Sequence, residues 1–159
     1  MASKDILDIA NEITVHIYRM GKTNMERLFK NINPLDYEII NMLSKNSTNE
    51  NGDGKFYLAD IAEKVKLPIS RVSKIIRLLS NRKLVLWQHD GDGADGTYVQ
   101  ITDKGMKEVK AQQTVLRNFY TEVIKDFGKE RFLAHLYETT ELDSLMQRKL
   151  DAFGEVTNY

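Results

Sequence analysis

The sequence contains no cysteine, and none of its apolar runs approaches the roughly 18 residues that a membrane-spanning helix needs. The lack of cysteine excludes disulfides, thiolate zinc sites and redox sensing by cysteine. The first residues, MASKDILDIANEI, also lack the pattern of a signal peptide. We therefore expect a cytoplasmic protein that has no membrane partner.

The signatures of catalysis are missing as well. The three histidines, His16, His89 and His135, are far apart in the sequence, and no nucleophile motif accompanies them. No glycine-rich loop follows a strand and opens a helix, which is the arrangement that binds phosphate groups. The sequence therefore predicts neither an enzyme nor a cofactor.

Charge is balanced over the whole chain but is unevenly distributed. The 159 residues include 23 basic and 23 acidic side chains, and 42% are hydrophobic, which is enough for one folded domain with a core. Between Lys64 and Trp87 there are seven basic residues and no acidic residue. Positive charge is thus concentrated in one segment, where a polyanion is expected to bind. The seven basic residues are Lys64, Lys66, Arg71, Lys74, Arg77, Arg82 and Lys83.

Residues 58–83 have the pattern of a helix-turn-helix. Apolar or small side chains fall where two crossing helices need them. They are Ile61, Ala62, Val65, Leu67, Val72, Ile75, Ile76 and Leu79. On a helical wheel of about 100° per residue, the second helix has a core arc, which also includes Ile69.

The opposite arc of the second helix carries hydrogen-bonding side chains, namely Ser70, Lys74, Arg77 and Asn81. Lysine and arginine bond guanine edges and phosphates, asparagine bonds adenine, and serine adapts to either. A polar arc is also typical of an ordinary surface helix. The excess of positive charge favours a recognition helix that enters the major groove of DNA.

The remaining segments predict helices and a hairpin. An amphipathic helix runs from Asp5 to about Gly21, and Asn33 with Pro34 starts another. After the helix-turn-helix, two β-rich runs at 84–89 and 97–101 flank a glycine- and aspartate-rich turn, which is the pattern of a β-hairpin, or wing.

Two long amphipathic helices complete the chain. Gly128 is predicted to separate them, and Gly154 to end the second. Their apolar stripes are expected to be buried against each other and against the first and last helices of a second copy, giving a twofold dimer. The alternative is an intramolecular helical hairpin in a monomer.

Residues 49–60, NENGDGKFYLAD, partly match a calcium-binding EF-hand loop. Asn49 stands where aspartate is expected, and Asp60 stands where a bidentate glutamate is expected. A polar turn that leads into a short strand at Phe56 and Tyr57 explains the same residues. We therefore expect no metal site.

The order of helix, helix, short strand, helix-turn-helix, wing and two long helices resembles the MarR family of bacterial transcriptional regulators. The likeness covers nearly the whole chain and is sharpest in FYLADIAEKVKLPISRVSKIIRLLSNRKLV and VQITDKGMKEV. It implies a mainly α fold with a small β-hairpin, namely a winged helix-turn-helix with long terminal dimerisation helices. Residues 33–102 would then form the DNA-binding region, and residues 1–32 and 103–159 the dimerisation region, within one compact domain.

The resemblance also implies a function. Such proteins are typically homodimers that bind pseudo-palindromic operators, with half-sites about 10 bp apart. The side chains expected to contact DNA, from the family's pattern and the polar arc, are Ser70, Arg71, Ser73, Lys74, Arg77 and Asn81. Small aromatic effectors often regulate these proteins, and here the cleft for an effector would be lined by His16, Tyr18, Tyr57 or Trp87.

The tip of the predicted wing departs from the family. The family's wing usually carries an arginine that enters the minor groove, whereas residues 90–96, DGDGADG, contain three carboxylates and no basic side chain. Carboxylates beside phosphates repel them. Either the wing swings clear of the duplex, or its tip binds a cation or a protein. An alternative function follows, that of a winged-helix module that binds another protein and has lost or weakened DNA binding.

Overall fold

The structure is a computed structural model that describes residues 5–22, 25–47, 54–89 and 96–156, with side chains described as far as residue 153. Most of the wing tip, residues 90–95, and the first half of the EF-hand-like loop, residues 49–53, lie outside the described residues.

The described elements confirm a mainly helical fold with a small sheet. In chain order they are α1 (Ile6–Gly21), a short 3₁₀ helix (Met25–Leu28), α2 (Pro34–Ser47), β1 (Phe56–Tyr57), α3 (Leu58–Lys64), α4 (Ile69–Asn81), β2 (Val85–His89), β3 (Thr97–Ile101), α5 (Asp103–Phe127) and α6 (Lys129–Val156).

Side-chain caps fix the start of two helices. The backbone N–H of Ile6 donates to Asp5 Oδ1 at 2.7 Å, and that of Asp36 donates to Asn33 Oδ1 at 2.9 Å. These bonds satisfy amide groups that have no partner inside a helix. The predicted cap at Asn33 is therefore confirmed. By contrast, Gly154 does not end α6, which continues to Val156.

The three strands form an antiparallel sheet with β3 in the centre. Val99 of β3 pairs with Phe56 and Trp87, and the next residue back, Tyr98, pairs with Tyr57 and Gln88. Since neighbouring residues of a strand point to opposite faces, these two rows lie on opposite sides of the sheet. The row that contains Val99 faces the core.

The core is built mainly from α2, α3, α4 and the sheet. Its fully buried side chains are Ile39, Ile40, Leu43, Ile61, Val72, Ile76, Leu79, Leu84, Val85, Val99 and Val109. Ile69 was predicted to belong to this core but is 41% exposed. It is the first residue of α4, one turn before the buried Val72, so it lies at the edge of the packed stripe.

The chain forms two compact units, Met1–Gln113 and Thr114–Tyr159, and the boundary falls within α5. In the second unit, Gly128 has a φ of +92° and separates α5 from α6, as predicted. The rings of Tyr120 and Phe132 pack across this junction with centroids 6.1 Å apart. No side chain of α6 between residues 129 and 153 is buried.

Candidate nucleic-acid interface

The turn between α3 and α4 is closed by backbone hydrogen bonds. Lys66 N donates to Glu63 O at 3.1 Å, and Leu67 N donates to Ala62 O at 3.0 Å. These bonds satisfy the last carbonyls of α3 and require a left-handed residue, which is Lys66 with a φ of +52°. Glycine usually takes this position, and no pattern in the sequence marked the lysine for it.

Pro68 opens α4. Its carbonyl accepts the N–H groups of Arg71 at 2.9 Å and Val72 at 3.1 Å. Proline has no N–H to lose, so it is suited to a helix start, where amide groups have no helical partner. Pro68 is not among the residues predicted from the sequence, although a proline directly before an amphipathic stretch is a usable signal.

The end of α4 repeats the geometry of the turn. Lys83, with a φ of +61°, donates its N–H to Ser80 O at 2.8 Å, and Leu84 N donates to Leu79 O at 3.0 Å. This termination turns the chain directly from α4 into β2. Both helices of the helix-turn-helix therefore end at a left-handed lysine.

The T-x-x-G sequence, Thr102 to Gly105, ties the start of α5 to the end of α4. Thr102 Oγ1 donates to Lys83 O at 2.7 Å and accepts the N–H of Gly105 at 3.0 Å. A Cβ atom at Gly105 would lie 2.1 Å from Leu84 O. Glycine at this position therefore permits a backbone approach that any other residue would prevent.

The two arcs of α4 have different environments. Val72, Ile76 and Leu79 are fully buried. The predicted contact residues Ser70, Arg71, Lys74, Arg77 and Asn81 are exposed, and Ser73 is half-buried. The fold thus presents five of the six predicted DNA contacts to solvent on one helix, while the opposite arc anchors that helix in the core.

The basic residues of the segment fall into two groups. Arg82 donates from Nη2 to Asn31 O at 2.6 Å, and its Nη1 lies 3.7 Å from Asp36 Oδ2. Arg82 therefore joins the end of α4 to the start of α2. In the described part of the chain no hydrogen bond or ion pair holds the side chains of Arg71, Lys74 or Arg77.

Asp36, the acidic partner of Arg82, is in an unfavourable environment for its charge. Burial raises the pKa of the Asp36 carboxyl above its ordinary value, although the hydrogen bond from Asn33 and the charge of Arg82 both act to lower it. Desolvation of the carboxylate thus outweighs its two stabilising contacts.

Leu78 also lies on the exposed arc, although it is not among the contact residues predicted from the sequence. Its side chain is 61% exposed. On the helical wheel it falls between Lys74 and Arg71, about 40° from the first and about 20° from the second. A leucine between two basic residues of a polar arc is visible in the sequence once the wheel is drawn.

The structure does not bring the four candidate effector residues to one face. Tyr57 and Trp87 lie on opposite faces of the sheet. Trp87 packs against the core, and its buried indole N–H has no hydrogen-bond acceptor among the described residues. His16 and Tyr18 are exposed on α1, where Lys22 Nζ lies 4.4 Å from the centre of the Tyr18 ring.

Among the described residues, no group of three or more histidine, aspartate or glutamate side chains could hold a metal ion. The helices described here also include none with the length and apolar character to cross a membrane.

No family model matches the sequence, and no curated protein does. Solved structures do match. A MarR family regulator from Neisseria meningitidis shares 18% identity and a TM-score of 0.63, over 93% of this chain and 98% of that chain. The fold is that of the MarR regulators. Two further solved structures also match.

The transcriptional regulator BldR from Sulfolobus solfataricus shares 18% identity and a TM-score of 0.65, over 91% of this chain and 99% of that chain. A mutant MarR from E. coli, complexed with operator DNA, shares 10% identity and a TM-score of 0.68, over 87% of this chain and 99% of that chain. The MarR-like fold predicted from the order of elements is therefore confirmed.

Proposed function

We propose that this MarR-like protein is a cytoplasmic DNA-binding transcriptional regulator, and not an enzyme, and that it binds pseudo-palindromic operators as a homodimer. The observation that carries the proposal is the exposed arc of α4. It presents three basic side chains, Arg71, Lys74 and Arg77, that form no hydrogen bond or ion pair with another described residue. The opposite arc of the same helix is fully buried at Val72, Ile76 and Leu79.

This arrangement suits a major-groove contact. A rigid helix can place hydrogen-bond donors against base edges and phosphates only if the scaffold fixes its rotation. Both ends of α4 are held by backbone hydrogen bonds, and Thr102 Oγ1 donates to the carbonyl of Lys83, two residues after the helix. We propose Ser70, Arg71, Ser73, Lys74, Arg77 and Asn81 as the DNA contacts.

The apolar surface of α6 supports a homodimer. The α6 stripe, which we define as Leu142, Leu145, Met146, Leu150 and Phe153, is exposed in the single chain. Large contiguous apolar surfaces are rare on monomeric proteins and mark interaction sites. We propose that residues 1–32 and 103–159 form the dimerisation region and 33–102 the DNA-binding region. A twofold axis would then pair the two α4 helices with the two halves of a palindrome.

Release of the DNA by a small aromatic effector stays a prediction. Tyr57 and Trp87 lie on opposite faces of the sheet, so a cleft for the effector on either face would contain only one of them. A thermal shift of the protein with a panel of aromatic carboxylates and phenols would test it, and the variants Tyr57→Ala and Trp87→Phe would separate the two faces.

The proposed function is tested by selecting duplexes from a random pool with the purified protein and then titrating the enriched sequence at two salt concentrations. We expect an inverted repeat with half-sites about 10 bp apart and an affinity that falls as salt rises. Failure to enrich any sequence, with binding no stronger than to a control duplex, would contradict the proposal. It would favour a winged-helix module that binds another protein.

Arg77→Ala tests whether α4 reads bases. If Arg77 contacts a guanine, the variant should lose about 1 to 3 kcal/mol of binding free energy and relax specificity at one position of the half-site. A uniform loss over all sequences would indicate a phosphate contact instead. Arg117→Ala is the matched control, because it removes the same charge from an exposed site on α5.

A further inference from the structure

We infer that Leu78 is a specificity-determining residue that recognises a thymine methyl group in the major groove. This inference rests on the proposed DNA binding of α4 and names a chemical feature of the operator. It requires a thymine in each half-site whose 5-methyl group lies against the leucine side chain.

The position of Leu78, rather than its exposure alone, carries the inference. Single exposed leucines are common and need no explanation. Leu78, however, is 61% exposed on the arc that carries the proposed contacts, between Lys74 and Arg71 on the helical wheel. Lys74 lies one helical turn before it and Arg71 about two turns before it, on the same side of α4.

The packing of α4 keeps the Leu78 side chain outside the core. The adjacent residue Leu79 and the residue two before, Ile76, are both fully buried, so the rotation of α4 is fixed. Backbone bonds at the end of the helix, from Lys83 to Ser80 and from Leu84 to Leu79, hold the last turn that contains Leu78. Its side chain therefore projects from a rigid helix into solvent.

The chemistry of the major groove explains why an apolar side chain belongs there. Thymine is the base that presents a methyl group in this groove, and apolar side chains recognise it by contact. The other proposed contacts on the exposed arc are serine, arginine, lysine and asparagine, which recognise hydrogen-bonding groups. Leu78 supplies the one apolar contact of this arc, so it adds discrimination that the polar residues do not provide.

The experiment replaces thymine by uracil, which lacks only the methyl group, at each thymine of the enriched duplex in turn. Binding of the wild-type protein is compared with that of Leu78→Ala, and Leu78→Met serves as a variant that keeps an apolar side chain. Alanine favours helices and Leu78 is exposed, so Leu78→Ala should fold normally. Its circular dichroism spectrum and unfolding midpoint verify this.

We expect one thymine in each half-site at which uracil weakens wild-type binding about fourfold, since removal of one buried methyl group is worth about 0.8 kcal/mol. Leu78→Ala should bind the thymine and uracil duplexes equally, whereas Leu78→Met should still prefer thymine. That coupling would establish the contact.

The other outcomes overturn the inference, and they are distinguishable from one another. If the wild-type protein binds a specific duplex but no uracil substitution is coupled to Leu78, the inference fails and the proposed function stands. If the wild-type protein enriches no duplex at all, the proposed function and the inference fail together.

Discussion

Two amphipathic helices of this protein, α4 and α6, differ in whether their own chain buries their apolar side chains. In α4 the apolar arc is fully buried at Val72, Ile76 and Leu79, and the polar arc is exposed. In α6 no side chain between residues 129 and 153 is buried, and Leu145 is 42% exposed. Amphipathic periodicity alone does not distinguish these cases, because it shows only that one face needs a partner.

The difference suggests two separate tasks. The core holds α4 at a fixed rotation, so its polar arc can be matched to a rigid ligand such as DNA. The stripe of α6 is left for an external surface, which we propose is a second copy of the chain. Four predictions test this contrast, and the largest effect is expected at the proposed dimer interface.

Leu145→Glu places a charge within the α6 stripe. Burial of a leucine side chain is worth about 1.5 to 3 kcal/mol, and a twofold interface loses this contribution twice, so the dimer should dissociate at micromolar concentration. Analytical ultracentrifugation measures the change. Ser144→Glu adds the same charge outside the stripe and should leave a dimer. A wild-type protein that sediments as a monomer would contradict the proposal that a second copy covers the α6 stripe.

Ile76→Ala removes a fully buried side chain from α4. We expect a loss of about 2 to 5 kcal/mol in the free energy of unfolding, measured with urea, because the core cannot fully close the cavity. Leu78→Ala, two residues away on the same helix, should change stability by less than about 1 kcal/mol. Equal losses at the two positions would contradict the orientation of α4 in which Ile76 is buried and Leu78 is exposed.

Gly105→Ala tests the link between α5 and the end of α4. The added Cβ would lie 2.1 Å from Leu84 O and 2.8 Å from Ile101 Cγ1, so the backbone must shift. We expect a loss of about 1 to 3 kcal/mol in unfolding free energy and weaker DNA binding. Gly21→Ala is the matched control, since no atom lies within 4 Å of its added Cβ, and it should be neutral or stabilising. An unaffected Gly105→Ala variant would show that this contact does not position α4.

The smallest effect is expected for Asp36, which anchors Arg82 behind α4. Because burial raises the pKa of Asp36, the folded protein holds this proton more tightly than the unfolded chain does. Its contribution to stability is therefore present in acid, below the ordinary value of 3.8, and is lost as pH rises through the folded pKa. The stability of wild type relative to Asp36→Asn, measured by urea unfolding, should fall as pH rises from below 3.8 through the folded pKa of Asp36. A difference that is independent of pH would contradict the assignment.

The amino-acid sequence by itself determined the order of elements, the cap at Asn33, the break at Gly128 and the two arcs of α4. These features depend on local rules, because a cap bonds within three residues and a helical arc repeats every few residues. The same rules placed Arg71, Lys74 and Arg77 on the polar arc of α4, and the MarR-like fold followed from the order of the elements.

Only the tertiary structure decided which partners those residues meet. Arg82, counted among the basic residues of the segment, bonds Asn31, 51 residues earlier in the chain. Tyr57 and Trp87 were grouped in one cleft, but the register of β3 places them on opposite faces of the sheet. The reason is that contacts between residues far apart in sequence depend on how elements pack, and the local pattern of any one element carries no record of that packing.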